Sequence, residues 1–432
     1  MAKKAEKSQK NDSMMHVLTR FIGIRHRTKK TKEGEARPTE VAIIEPGKKP
    51  KMIKLEDEDS ELNFVFGIFP TKWRKPKAGE EFDNVPETHL KRKKTGKVTK
   101  VACKFDGLKS GDTVAMMLGG SGDYLAYAMI NRSRVLEHCR VLRVPGYRVK
   151  EYRGEDKEND SVHLAEMAIN RPEEFYETEP RDLEIVDLRM KFIARIEAMK
   201  ARIATEQRLR QASIGQIFCN SSGINPERSV EQRYKDIKAS DPILQAVMDE
   251  EKRRERELVK TLKNLDVFQE LFAPITGVGP MIAGRIIIEV MDIRAYATPA
   301  KLKAKLGCHV LQGGKYTDVP KEHQFPRRRR GMTANWSDEG RKALFLLADQ
   351  FNRRPNSEWG KKLLEYKAKF RAKHPEVVVV DGKKRYTNAH IHKMALWRTV
   401  TKFVERLHRD WTRLVEAGEI EESSDHIERQ AS

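Results

Sequence analysis

The chain has 432 residues, and its 85 Lys and Arg against 64 Asp and Glu give a formal net charge of +21. A basic excess of this size indicates a polyanionic partner, DNA or RNA. Four isolated cysteines argue against a disulfide framework and a sequential zinc site, and no apolar run reaches the roughly 20 residues of a membrane span. We therefore expect a cytoplasmic protein of two or three domains, with no metal site and no membrane contact.

The amino-terminal part has the signals of a sheet domain. Residues 1–15 are basic, lack the apolar segment of a secretory signal, and are expected to form a disordered tail. Residues 16–178 are expected to form an α/β domain. Its first three strands are predicted at Arg20–Arg25, Glu40–Gly47 and Lys51–Asp57, with turn-forming residues between them.

Residues 70–100 are rich in Lys and Pro and poor in apolar residues. This composition predicts a mobile basic insertion that orders only with a partner. A buried strand at Asp112–Gly120, a helix at Gly122–Asn131 and a strand at Cys139–Pro145 follow. This order resembles a RuvC-like or ribonuclease-H-like sheet, and order alone leaves other α/β folds open. Within the insertion, the candidate phosphate contacts are Lys91, Arg92, Lys93 and Lys94.

Residues 179–272 predict a long-helix, coiled-coil-like stalk. Apolar residues at helical spacing mark a helix over 181–213, and the segment Ser240–Pro242, a cap followed by proline at the first turn, begins a second helix that is expected to run to about Leu271. Residues 249–257 have no apolar stripe, so this part of the helix must cross solvent or face charge. The stalk suits a homodimer, while packing of both helices flat on a core is the alternative.

A glycine turn organises the predicted carboxy-terminal domain, residues 273–420. Pro274–Val290 reads as a helix, a tight turn and a second helix opened by proline, the pattern of a helix-hairpin-helix element that meets phosphate with its backbone amides. An ordinary turn between helices without a ligand is the alternative. The candidate contacts of this element are Gly277, Val278, Gly279 and Arg285.

Further helices are predicted at Thr298–Val310, Ser337–Asn352 and Asn388–Val415, with a hairpin at Val377–Tyr386 whose turn is Asp-Gly. A second tail is expected at 421–432. Clustered guanidinium and ammonium groups bind phosphates, and nearby tryptophan stacks on bases. The remaining candidate nucleic-acid contacts are Arg327, Arg328, Arg329, Arg330, Trp336, Arg341, Lys342 and Lys393.

ITGVGPMIAGRIIIEVMDIRAYATPAKLKAKLGCHV (Ile275–Val310), with the segment Val141–Ala168, resembles the bridge-RNA-guided DEDD insertion-sequence transposases, which include the Piv-type invertases. The stalk and glycine turn are also similar to the Nop domain of box C/D ribonucleoproteins, a relationship shared by the Tas proteins with tandem-interspaced guide RNAs. The resemblance implies a prokaryotic or viral ribonucleoprotein in which a structured guide RNA pairs with target DNA.

The departures from these families fall on the catalytic positions. The resemblance implies four metal-binding acids and a nucleophilic serine, but the matching positions hold Arg25, Gly119, His163 beside a retained Asp160, and Gly313. Arginine places a fixed positive charge where a cation must bind, and glycine cannot attack a strand. We therefore expect an RNA-guided DNA-binding protein without nuclease or recombinase activity and without a cofactor.

Two alternatives remain open from the sequence. One is an active DEDD-type recombinase or RuvC-type nuclease, which would need Mg²⁺ and other carboxylates in place of the lost ones. The other is an architectural helix-hairpin-helix protein that binds duplex DNA without RNA. The acids that could serve the first alternative are Glu45, Asp57, Asp106, Asp112, Asp123 and Asp156.

Overall fold

A computed structural model gives the fold of the chain. It describes residues 20–28, 36–119, 122–178, 180–219, 229–309, 336–380 and 382–431. The chain divides into two compact units, Met1–Pro180 and Arg181–Ser432. The first is α/β with a mixed sheet, and the second is mainly helical. Across the described ranges, every helix is too short or too polar to cross a lipid bilayer.

A six-stranded mixed sheet forms the centre of the first unit. The strands of this unit are β1 (Phe21–Arg25), β2 (Thr39–Ile44), β3 (Lys51–Leu55), β4 (Phe69–Arg74), β5 (Leu90–Arg92), β6 (Val98–Asp106), β7 (Thr113–Met117), β8 (Arg140–Val144) and β9 (Tyr176–Glu177). The main sheet has the order β3-β2-β1-β7-β8-β9. Strands β1, β2 and β3 are antiparallel neighbours, whereas β7 and β8 run parallel to β1. The strands predicted around β1, β2, β3, β7 and β8 are confirmed.

Four helices are described in the first unit: α1 (Glu58–Val65), α2 (Asp123–Ser133), α3 (Gly146–Arg153) and α4 (Asp160–Asn170). Helix α4 crosses β1 at very short range, and Gly23 permits this approach. A Cβ atom on Gly23 would lie 1.9 Å from the carbonyl oxygen of Ser161 and 2.6 Å from the amide nitrogen of Ala165. The glycine of β1 therefore sets the distance at which the start of α4 lies beside the end of β1.

The predicted insertion 70–100 is not a segment without regular structure, and that expectation is wrong. Strands β4, β6 and β5 form a separate antiparallel sheet in that order. In β6, Val101 and Phe105 lie on one face and Ala102 shares the other face with Lys100 and Lys104, so strand-forming apolar residues are present although the average composition is polar. Leu90 of β5 is buried opposite Val101 of β6, which gives the small sheet an apolar side.

The second unit contains α5 (Pro180–Phe218), α6 (Val230–Ser240), α7 (Pro242–Lys263), α8 (Asp266–Leu271), α9 (Pro280–Val290), α10 (Pro299–Lys305), α11 (Asp338–Arg353), α12 (Glu358–Lys373), α13 (Asn388–Ala431) and the hairpin β10 (Val378–Val380) and β11 (Lys383–Arg385). Its apolar core joins these helices. Fully buried members include Phe272, Ile287, Leu347, Phe351 and Phe403.

Two predicted boundaries in this unit are wrong. The helix expected to reach Leu271 ends at Lys263, because Leu265 adopts an extended backbone (φ −83°, ψ 126°) before α8 begins. The tail expected at 421–432 continues α13 to Ala431. Residues 419–431 contain no Gly or Pro, and Glu, Arg, Gln and Ala are good helix formers.

The polar part of α7 faces charge on α5, as its sequence predicted. Glu251 is buried and lies 3.2 Å from Arg195 and 2.5 Å from Arg202, both on α5. Nearer the core, Leu188 and Phe192 of α5 join Leu258 and Leu262 of α7 in the apolar cluster. The pair is thus apolar at one end and held by ion pairs at the other. The predicted loop 220–228 and the tail 1–15 lie outside the described residues.

Candidate functional site

A cavity of about 740 Å³ opens at the carboxyl ends of β1 and β7, beside the start of α4. Three of the predicted vestigial positions, Arg25, Gly119 and Asp160, line this cavity. His163 lies on α4, with its Nε2 3.1 Å from an Asp156 oxygen that also belongs to the cavity wall. The structure therefore brings together the four described positions, while Gly313 lies outside the described residues.

Arg25 is buried and holds its charge at the end of β1. Its Nη2 lies 2.8 Å from a carboxylate oxygen of Glu40, which is its direct partner across β1 and β2. Its Nη1 donates to the backbone oxygen of Lys157 at 3.4 Å. Because a guanidinium stays protonated in proteins, this position repels a divalent cation.

Asp160, which the resemblance matches to a metal-binding acid, begins α4 and has a cationic partner of its own. One of its oxygens lies 2.9 Å from Nε of Arg153. Burial raises the pKa of Asp160 above its usual value, although the charges of Arg153 and Arg25 oppose the shift. Its nearest cationic partner is therefore a side chain of the protein itself.

Other acids also reach this cavity, all from one short segment. Glu155, Asp156 and Glu158 line it together with Asp160. Hydrogen bonds from Asn159 and His163 lower the pKa of Asp156 to about 2. In the part of the chain that the structure describes, no three His, Cys, Asp or Glu side chains are grouped so that they could hold a metal ion.

The other acids that the sequence offers for a nuclease site mostly have partners elsewhere in the first unit. Arg20 binds Asp112 with two bonds of 2.6 and 2.7 Å and Asp106 at 3.1 Å, next to the amino ends of β1 and β7. Asp123 lies 2.8 Å from Arg143. The remaining two, Asp57 as the cap of α1 and Glu45 as a partner of Lys48, likewise have local roles.

The predicted basic cluster of the insertion lies on a hairpin of the small sheet. Lys91 and Arg92 belong to β5, and Lys93 and Lys94 follow in the turn that leads to β6. Arg92 is paired with Glu87 at 2.7 Å. The ammonium group of Lys91 lies 4.5 Å from the ring centroid of Trp73 on β4. Trp73, which the sequence reading did not select, therefore belongs to this surface.

The predicted glycine turn connects α8 and α9. Gly277 has φ +97°, a conformation that favours glycine, and Gly279 precedes Pro280 at the start of α9. Val278 is buried in the core. Arg285 on α9 faces protein partners: its guanidinium lies 5.6 Å from the Phe192 ring and 3.5 Å from Glu339.

A cation lies close to two aromatic rings in the first turn of α11. The guanidinium of Arg341 is 4.9 Å from the ring of Trp336 and 5.0 Å from that of Trp397. Lys342 is exposed and pairs with Glu339, and Lys393 on α13 is exposed. The predicted run Arg327, Arg328, Arg329 and Arg330 lies outside the described residues.

The sequence reading also missed a ring stack in the second unit. The ring of Tyr386 lies parallel to His374 at 3.8 Å and to His390 at 5.5 Å between centroids. Tyr386 has φ +57°, which is uncommon outside glycine, and its amide donates to Nδ1 of His390 at 3.0 Å. The sequence offers one hint of this stack, because Tyr386 is an aromatic residue at the end of the predicted Asp-Gly hairpin.

A comparison with protein-family models finds none that matches the chain, and a comparison with curated proteins finds no match either. Function is therefore inferred from the residues themselves. Three features of the protein support that inference: its net charge, the strand order of the main sheet and the residues that line the cavity.

Proposed function

We propose that the protein is an RNA-guided DNA-binding protein that holds a structured guide RNA and has no nuclease or recombinase activity of its own. The first unit would be a RuvC-like, ribonuclease-H-like domain. Its strand order supports this proposal: three antiparallel strands, β3-β2-β1, are continued by β7 and β8 parallel to β1. Helix α4 packs on β1, as the last acidic helix of the resembled recombinases would.

The buried guanidinium of Arg25 is the observation that carries the proposal. In the resembled recombinases the first metal-binding acid ends the first strand, and here that position holds Arg25 paired with Glu40 at 2.8 Å. Metal-assisted phosphoryl transfer needs carboxylates that converge on the cations. An internal ion pair between two strands satisfies this arginine within the protein, so the site has a stable arrangement that does not require a cation.

Nucleic-acid binding is supported by charge and by surface composition. Base pairing between guide and target supplies sequence specificity, so such a protein needs contacts to backbone and shape more than contacts to base edges. A net charge of +21 with exposed lysines in both units suits that task. We further propose that the turn at Gly277 is a helix-hairpin-helix-like element, that α5 and α7 form a Nop-like stalk, and that the stalk pairs two copies.

A metal-dependent nuclease is the second candidate, and one observation favours it. Asp156 and Asp160 both line the cavity at the end of β1, next to Glu155 and Glu158. In an RNA-bound state these acids could converge with Mg²⁺ if the segment 155–158 moved. The hydrogen bond between Nε2 of His163 and Oδ2 of Asp156, 3.1 Å long, would then have to break.

The proposal is tested by purifying the protein from cells that carry its native locus and sequencing the RNA that remains bound. We expect a short, discrete RNA species, and we expect DNA binding that depends on this RNA and on complementarity to it. Purified protein that binds duplex DNA equally well without RNA and without sequence preference would contradict the proposal and favour an architectural DNA-binding protein.

A further inference from the structure

Two pairs of lysines oppose each other across the small sheet of the first unit. Lys91 of β5 lies opposite Lys100 of β6, and Lys72 of β4 lies opposite Lys104 of β6. All four are exposed, and none of them forms an ion pair with any residue that the structure describes. Like charges directly opposite each other destabilise a sheet. The backbone pairing thus places like charges on neighbouring strands, an arrangement that a bound anion would stabilise.

An aromatic ring lies on the same face as one of these pairs. Trp73 is the cross-strand partner of Ala102, which is two residues from Lys100 and so points to the same side of β6. The ammonium of Lys91 lies 4.5 Å from the centroid of the Trp73 ring, which places both side chains together. One sheet face thus combines two unpaired ammonium groups with a partly exposed indole.

We propose that this face, made of Trp73, Lys91 and Lys100, binds a single-stranded segment of RNA. The ammonium groups would contact phosphates, and the indole would stack on an unpaired base. Duplex DNA would use the lysines alone, because its bases are already stacked within the helix. The identity of the RNA as the guide rests on the function proposed above, whereas the binding face does not depend on it.

The double variant K91Q/K100Q tests the charge contribution in the full-length protein. The control is K49Q/K150Q, which removes two exposed lysines of the same unit that lie outside β4, β5 and β6. Affinity for a short single-stranded RNA oligonucleotide of mixed sequence is measured as a function of salt. Each phosphate contact on a single strand contributes about 0.7 to the slope of log K against log salt, so K91Q/K100Q should lower the slope by about 1.4. A slope equal to that of K49Q/K150Q would overturn the inference.

The variant W73A tests the stacking contribution. A base stacked on an aromatic ring is worth about 1–3 kcal/mol, so W73A should bind the oligonucleotide roughly 5- to 150-fold more weakly. W73F retains a ring and should bind within a few-fold of the wild type, which guards against a loss of folding in W73A. Wild-type affinity of a folded W73A protein would contradict the proposal.

The thermal unfolding temperature of the single variant K100Q tests the inference independently of RNA binding. This change removes the repulsion with Lys91 and leaves the contact between Lys91 and Trp73 in place. We expect K100Q to unfold at the same or a higher temperature than the wild type at low salt, while it binds RNA more weakly. A lower unfolding temperature with unchanged RNA affinity would mean that Lys100 has a structural role only.

The outcomes separate this inference from the proposed function. If no RNA co-purifies but K91Q/K100Q still shows the reduced slope, the guide hypothesis fails and the binding face stands. If K91Q/K100Q retains a co-purified guide with the wild-type salt slope, the guide hypothesis stands and the binding face fails. Equal losses of affinity for duplex DNA and for single-stranded RNA in W73A would mean that the indole does not stack on an unpaired base, which contradicts the inference.

Discussion

The guanidinium of Arg25 lies 2.8 Å from the carboxylate of Glu40, its direct neighbour across strands β1 and β2. The two side chains are 10% and 15% exposed, so the pair is largely shielded from water. Removing one member of a shielded pair leaves an uncompensated charge, which costs more than removing both. This relationship gives Arg25 a structural role that can be measured.

We expect Arg25→Gln to lower the free energy of unfolding by about 3 kcal/mol, because Glu40 loses its partner. The double variant Arg25→Gln/Glu40→Gln should lose less than the sum of the two single variants. Urea denaturation of all four proteins measures this coupling. Additive losses would mean that the two side chains do not interact in the folded protein.

Gly23→Ala should disrupt the packing of α4 on β1. The added methyl group would lie 1.9 Å from a backbone oxygen of α4, and a backbone atom cannot move aside as a flexible side chain can. Overpacking of this kind costs about 1–3 kcal/mol or more. The matched control is Gly146→Ala, where the nearest atom to a Cβ would be 3.9 Å away. Similar thermal unfolding temperatures for the two variants would contradict the close approach of α4.

Asp106 should make acid stability depend on pH. Burial alone would raise the pKa of Asp106, but hydrogen bonds outweigh burial and hold the pKa well below its usual range. The donors are Lys51, Lys109, the Gly107 amide and Arg20. Because the pKa is depressed on folding, the stabilisation is fully present above the unfolded pKa of about 3.9 and is lost as pH falls towards the folded value.

We therefore expect Asp106→Asn to lower the free energy of unfolding by about 2 kcal/mol near neutral pH. The difference between variant and wild type should shrink progressively below about pH 4, because the Asp106 carboxylate of the unfolded chain takes up a proton there while that of the folded protein stays ionised. Urea denaturation of both proteins at several pH values between neutrality and pH 2 measures this difference in the free energy of unfolding. A difference that stays constant over this range would show that the charge of Asp106 does not stabilise the fold.

Arg341→Lys tests the stacked guanidinium of the second unit. The planar guanidinium of Arg341 lies 4.9 and 5.0 Å from the rings of Trp336 and Trp397. A lysine ammonium is not planar and cannot stack on these rings in the same way. Each cation–ring contact is worth about 0.5–1 kcal/mol at an exposed site, so we expect a loss of about 1 kcal/mol and a change in tryptophan fluorescence. Lys342→Gln, at the neighbouring exposed position, should change stability by less than about 0.5 kcal/mol.

Local sequence patterns predicted those parts of the fold in which burial and periodicity agree. Strands β1, β2 and β7 were predictable because short apolar runs are bounded by turn residues. The small sheet was missed because its lysines lower the average hydropathy of 70–100 and because apolar residues fall on both faces of β6 without a clear alternation. The break after Lys263 was missed because Leu262, Leu265 and Phe268 keep helical spacing across it.

The sequence predicted only those residues of the candidate site whose positions follow from the order of strands and helices along the chain. The positions of Arg25, Gly119 and Asp160 follow from the order of strands and helices, and the structure brings them to one cavity. The partner Glu40 depends on the register between β1 and β2, which no local pattern specifies. Contacts between residues distant in sequence, such as Trp397 with Arg341, likewise require the tertiary structure.

Cleavage of supercoiled DNA by the RNA-loaded protein in Mg²⁺ is the most direct measurement, with Asp160→Asn as the matched variant. We predict that wild-type protein binds the complementary plasmid and leaves it supercoiled, as Asp160→Asn does, because a buried guanidinium occupies the end of β1. Nicked or linear product that wild-type protein makes and Asp160→Asn does not make would contradict this prediction. It would identify the cavity beside Arg25 as a working nuclease site.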